Sequence, residues 1–108
     1  MQTRLQILSD LLTEAHTQIQ KTYSNLDPVI GVRQNLRQSG FPADLVTIDC
    51  LRSKKRIILL LNDKQPEVIG YEFSMMDIDP TMNFSNLPFA KLTQQQLFDW
   101  MKDYFLNE

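Results

Sequence analysis

The spacing of apolar positions changes along this chain. Over residues 3–24, Leu5, Leu8, Leu12, Ala15, Ile19 and Thr22 recur at steps of three and four, and Leu26 continues the series. Such steps keep side chains on one stripe of a helix. Ile7 and Leu11 widen the stripe on one flank, and no Pro or Gly interrupts it. The pattern predicts an amphipathic helix roughly 33 Å long, at about 1.5 Å per residue. Either that helix crosses the whole molecule or part of its stripe meets another chain.

Residues 28–39 carry helix punctuation. Asp27 suits a cap, and Pro28 suits the first helical position, where a missing N–H is no loss. Val29, Val32 and Leu36 supply an apolar face, and Gly31 leaves room for close approach to the first helix. Gly40 fits the left-handed residue after the end, Phe41 the apolar residue of a Schellman motif over Leu36, and Pro42 the stop. With only Asn25-Leu26-Asp27 between them, the two helices are expected to form a hairpin.

The period then shortens to two. In residues 45–52, Val46, Ile48 and Cys50 alternate with Thr47 and Asp49; in 68–75, Ile69, Tyr71, Phe73 and Met75 alternate with Gly70, Glu72 and Ser74. Between them, Arg56-Ile57-Ile58-Leu59-Leu60-Leu61-Asn62 is apolar toward both faces, as the central strand of a meander is. Short turn-like connections make the three strands antiparallel. Residues 77–92 hold two prolines and no sustained period, which reads as a short edge strand around 82–85 or a functional loop. Thr93 with Gln96 then makes a capping box, and Leu97, Trp100, Met101, Tyr104 and Phe105 give a wide apolar helix face. The expected architecture is one α+β domain over residues 1–108: an N-terminal helical hairpin, a three-stranded antiparallel meander and a C-terminal helix (α-α-β-β-β-α).

Composition adds bounds. The 108 residues are 43% hydrophobic and 22% charged, with a formal net charge of −2. That is ordinary globular usage, and it argues against a surface tuned as a whole to nucleic acid. Cys50 is the only cysteine, so no internal disulfide forms. No window approaches the roughly 18 apolar residues of a membrane span, and the first residues lack a signal-peptide core, so a cytoplasmic protein is expected.

Most site chemistry lacks its residues. His16, the only histidine, lies inside the first helix with no nucleophile beside it, and the three glycines are too scattered for a phosphate loop. No cofactor and no metal ligand set are expected. Asp77 and Asp79, with Asp49, Asp63, Glu67 and Glu72 on the sheet or its turns, allow a small metal-dependent enzyme as one alternative; aspartates before a proline are also ordinary turn formers. Arg52, Lys54, Lys55 and Arg56 form a basic hairpin tip, with Arg33 and Arg37 four apart on a predicted helix. A nucleic-acid-binding accessory protein is the second alternative. Changing Lys54, Lys55 and Arg56 together is expected to leave the fold intact.

The leading expectation is a non-enzymatic protein-interaction module of the adaptor, inhibitor or chaperone type. Its candidate partner surface combines Met75, Met76, Met82 and Phe84, which are soft and apolar, with the Ile7 and Leu11 flank of the first helix. Surplus apolar area on that helix points to a homodimer.

Overall fold

A computed structural model describes residues 2–79, 81 and 83–106. Helix α1 spans Arg4–Thr22, strand β1 Val29–Arg33, a short helix α2 Asn35–Gln38, β2 Ala43–Cys50, β3 Lys55–Asn62, β4 Val68–Met75 and β5 Ser85–Pro88. A 3-10 turn over Phe89–Lys91 leads into α3, Gln94–Leu106. The five strands form one antiparallel sheet in the order β1-β2-β3-β4-β5. The fold class is α+β as expected, and β3 is the centre of the sheet. The expected three-stranded meander is in fact five strands.

The larger correction lies at residues 28–39. No helical hairpin forms there: Val29–Arg33 is an edge strand paired with Arg33↔Leu45 through Val29↔Asp49, and only residues 35–38 are helical. Val29, Ile30 and Val32 are β-branched, and Gly31 opposes helix, so pairing with β2 overrides the Asp27-Pro28 start signal. Gly31 approaches the neighbouring strand rather than α1, since a Cβ there would stand 3.1 Å from Thr47 Oγ1. The stop signal did operate. Phe41 N–H donates to the Leu36 carbonyl at 2.9 Å and Gly40 N–H to Arg37 at 3.1 Å, with Gly40 at φ +89°, which is the Schellman pattern.

Register explains the core. Ile30, Ile48, Ile57 and Phe73 lie in one row across the sheet, and Val32, Val46, Leu59 and Tyr71 in the next. This face receives Leu8, Leu12, Ala15 and Ile19 of α1 and Leu97, Phe98, Met101 and Phe105 of α3 in one cluster. The opposite face carries Thr47, Asp49, Arg56, Ile58, Glu72 and Ser74, and none of them joins that cluster. The smallest molecular extent, 20 Å, fits one sheet and one helix layer, each about 10 Å thick.

Both long helices begin on side-chain caps. Thr3 and Gln6 form a complete capping box on α1, and Gln96 N–H donates to Thr93 Oγ1 at 3.1 Å on α3. Two arginines stitch the far end of the sheet. Arg4 donates from Nη2 to the Asn62 carbonyl at 2.8 Å and from Nη1 to Val68 at 3.0 Å, tying α1 to the β3–β4 turn. Arg37 of α2 spans two carboxylates, Nε to Asp44 at 2.7 Å and Nη1 to Asp63 at 2.8 Å.

The Arg37 hydrogen bonds hold the Asp63 carboxyl below its ordinary range, centred on 3.8. A carboxylate whose folded pKa is depressed contributes stability above its unfolded pKa, and loses it as pH falls through the folded value. Wild type should therefore exceed Asp63→Asn in urea melts at neutral pH, and the gap should close as pH drops below 3.8. A gap that stays constant down to the acid limit would show that ionisation of Asp63 contributes nothing.

Candidate interaction surface

The strand alternation of β4 puts Tyr71 and Phe73 on the helix side, and one turn of α3 puts Trp100 beside Tyr104. The two pairs meet. Tyr71 stacks on Trp100 with centroids 4.7 Å apart and planes at 29°. Phe73 stands edge-on to Trp100 at 6.1 Å and tilted against Tyr104 at 5.0 Å. Offset and edge-to-face geometries suit the ring quadrupoles and hold each ring in place.

Tyr104 anchors the group. Its hydroxyl donates to the Ser74 carbonyl at 2.6 Å, and burial pushes its pKa up. Lys55 Nζ lies 5.0 Å from the Tyr104 ring centroid and donates to the Tyr104 carbonyl at 2.8 Å, supplying a cation at the end of α3. Tyr71, Phe73, Trp100, Asp103 and Tyr104 line a shallow depression of about 360 Å³. Among the described residues, β5 pairs with residues 68–71 of β4 and no strand pairs alongside Phe73, which remains 40% exposed.

The residues singled out from the sequence are not gathered on this shelf. Met75 and Met76 are half-buried; Met75 pairs with Lys55 on the helix-side face, and Met76 N–H donates to the Lys54 carbonyl. Met82 lies outside the described residues. Phe84 occupies the other face, where a Cβ on Gly70 would come within 3.2 Å of its own Cβ. Leu11 packs against the core and Ile7 is half-buried. Gln18, two turns beyond Leu11 on the same flank, accepts from Gln94 of α3, so this flank faces α3.

The basic hairpin splits between two faces. Arg56 makes a bidentate pair with Asp49 on the open face, at 2.6 and 2.9 Å, while Lys55 points to α3. Arg52 and Lys54 are exposed at the tip. Arg33 ends β1 and Arg37 is held by Asp44 and Asp63, so the two do not share a helix face. Among the described residues, no three His, Cys, Asp or Glu side chains converge as a metal-holding group. Asp77 and Asp79 are exposed, and Glu72 Oε1 accepts from Thr81 Oγ1 and the Asn83 N–H. His16 Nε2 meets the Pro28 carbonyl at 2.8 Å, so that nitrogen carries the proton and the ring ties α1 to β1. No helix among the described residues is long and apolar enough to cross a membrane.

No protein-family model matches the chain, and no curated protein or solved structure matches it significantly. Its chemistry is therefore read from its own residues. The aromatic shelf escaped sequence reasoning because each half looked like core: Tyr71 and Phe73 shared a strand face with Ile69, and Trp100 and Tyr104 a helix face with Leu97. What leaves Phe73 exposed is the shortness of β5, which no local pattern announces.

The Arg56–Asp49 pair means that the triple change at the hairpin carries a stability cost that a solvated turn position would not. Their side chains are only 15% and 13% exposed, so removing Arg56 strands a carboxylate away from water. Arg56→Ser should cost about 1–3 kcal/mol in urea melts, whereas Lys54→Ser should be close to neutral. Equal effects of the two changes would show that the Asp49 pair adds no stability.

Proposed function

We propose that the protein is a non-enzymatic interaction module, in a cytoplasmic setting, whose partner surface is the shelf of Tyr71, Phe73, Trp100 and Tyr104. The observation that carries this reading is the 40% exposure of Phe73 among rings already fixed by mutual contact. A surface that is ordered before binding loses little side-chain entropy on binding, and aromatic side chains dominate the energetics of interfaces. Asp103 and Lys55 beside the rings supply the polar rim that surrounds such a centre. The shelf takes over the role expected of the methionine segment and the Ile7–Leu11 flank, with Met75 at its margin.

A photo-crosslinking residue at Phe73 tests this in the native host, with Thr13 on the exposed side of α1 as the control position. The Phe73 probe should give a discrete protein adduct that the Thr13 probe does not give. Phe73→Ala should lower the thermal midpoint while keeping the fold, and should weaken the captured partner's affinity by about 10- to 100-fold, the effect of losing one central aromatic contact. Identical adduct patterns at the two positions would remove the shelf as the interaction surface.

A further inference from the structure

The two edges of the sheet differ in how they are protected. Strand β5 is four residues long, carries exposed Ser85 and Asn86, and ends in Pro88, which has no N–H to offer. Those are ordinary devices against edge-to-edge pairing. Strand β1 is less protected, with only the exposed charge of Arg33 at its end. It is an unbroken five-residue run, Val29-Ile30-Gly31-Val32-Arg33, with Val29 48% and Val32 50% exposed.

Hydrogen-bond parity identifies the free groups on that edge. Successive residues of a strand direct N–H and C=O to opposite sides. The carbonyls of Pro42 and Cys50 accept from Asp63 and Lys54, both flanking β3, so the even-numbered residues of β2 face β3. The odd-numbered Leu45, Thr47 and Asp49 then face β1, opposite Arg33, Gly31 and Val29. Ile30 and Val32 are left with N–H and C=O directed outward. The next outward carbonyl, on Pro28, is already taken by His16.

We propose that β1 pairs antiparallel with β1 of a second copy, on a two-fold axis through Gly31, and so joins two sheets into one of ten strands. In this register Ile30 of each copy lies opposite Val32 of the other, and the pair exchanges both hydrogen bonds. The four outward groups of each copy are all satisfied. Shifting the register onto an Ile30–Ile30 axis sets Val32 against Pro28, which has no N–H and whose carbonyl is occupied. The Gly31 pair is a close, non-hydrogen-bonded one, about 4.5 Å between Cα atoms, and carries no side chain to obstruct it. Ile30 and Val32 stack as β-branched cross-strand neighbours on the helix side. On the other side the Arg33 stem lies over the exposed Val29 of the second copy. A second copy is the occupant because the edge is complementary to itself about Gly31 in both backbone and side chains.

Light scattering after size exclusion, with sedimentation from micromolar to millimolar concentration, should show the mass rising from 12.6 kDa toward twice that value. Val32→Pro deletes an outward N–H without touching the β1–β2 ladder. It should keep the wild-type circular dichroism and weaken the dimer about 30-fold or more, since two of four hydrogen bonds go. Phe73→Ser, on the aromatic shelf, should dimerise as wild type does. Amide exchange on unmodified protein gives an answer independent of any variant: the Ile30 and Val32 amides should gain protection as dimer forms. A wild-type monomer at millimolar concentration overturns the proposal. So does a folded Val32→Pro protein that dimerises as tightly as wild type, a dimer lost in a folded Phe73→Ser protein, or a dimer in which the Ile30 and Val32 amides exchange freely.

Discussion

Two helices must cover five strands, and the properties of the surface follow from that mismatch. Helices α1 and α3 pack on each other over the middle of the sheet, where Val46, Ile48, Ile57, Leu59 and Ile69 are almost fully buried. Apolar residues in the same rows but farther out do not get the same cover. Val32 lies two strands from β3 on one side, and Phe73 lies beyond the reach of β5 on the other. Val32 and Phe73 are thus left exposed at opposite margins of the helix-side face, while Phe41, Leu51, Ile78 and Leu106 are exposed elsewhere.

Charge is placed where this thin architecture needs bracing. Neither α1 nor α3 packs on the open face, yet Ile58 there is only 3% exposed. Its flank is closed by the Arg56–Asp49 pair, and the Asp49 hydrogen bonds raise the Arg56 pKa, favouring the charged form. At the far end of the sheet, Arg4 and Arg37 act on turn carbonyls and carboxylates that α1 and α2 bring together. A guanidinium suits both tasks because its planar fork donates in several directions at once.

The three central strands, their faces and the position of β3 were legible in the sequence because burial on one or both sides leaves a periodic mark. The end of α2 was legible at Gly40, since a positive φ selects for glycine. The segment at Val29 was not. Asp27-Pro28 is an acceptable helix start, and whether it begins a helix or a strand depends on a partner at Val46 and Ile48 that local sequence does not reveal. Strand β5 was visible only as an edge-strand option a few residues early. The site was less legible than the fold: Tyr71, Phe73, Trp100 and Tyr104 carry the same pattern whether or not a neighbour covers them.

The sidedness of the β4 margin comes from the segment that follows it. Thr81, Asn83 and Phe84, which precede β5, meet β4 on the open face. Glu72, on that face, accepts from Thr81 and the Asn83 N–H, and Gly70 leaves the space that Phe84 fills against Leu60. A Cβ at position 70 would stand 3.2–3.3 Å from atoms of Phe84 and Leu60, so those side chains would have to give by a few tenths of an ångström. These residues therefore cover part of the open face of β4, whereas on the helix side Phe73 stays 40% exposed. Glycine at 70 and glutamate at 72 are features of the open face, and they seat Phe84, Thr81 and Asn83 against it.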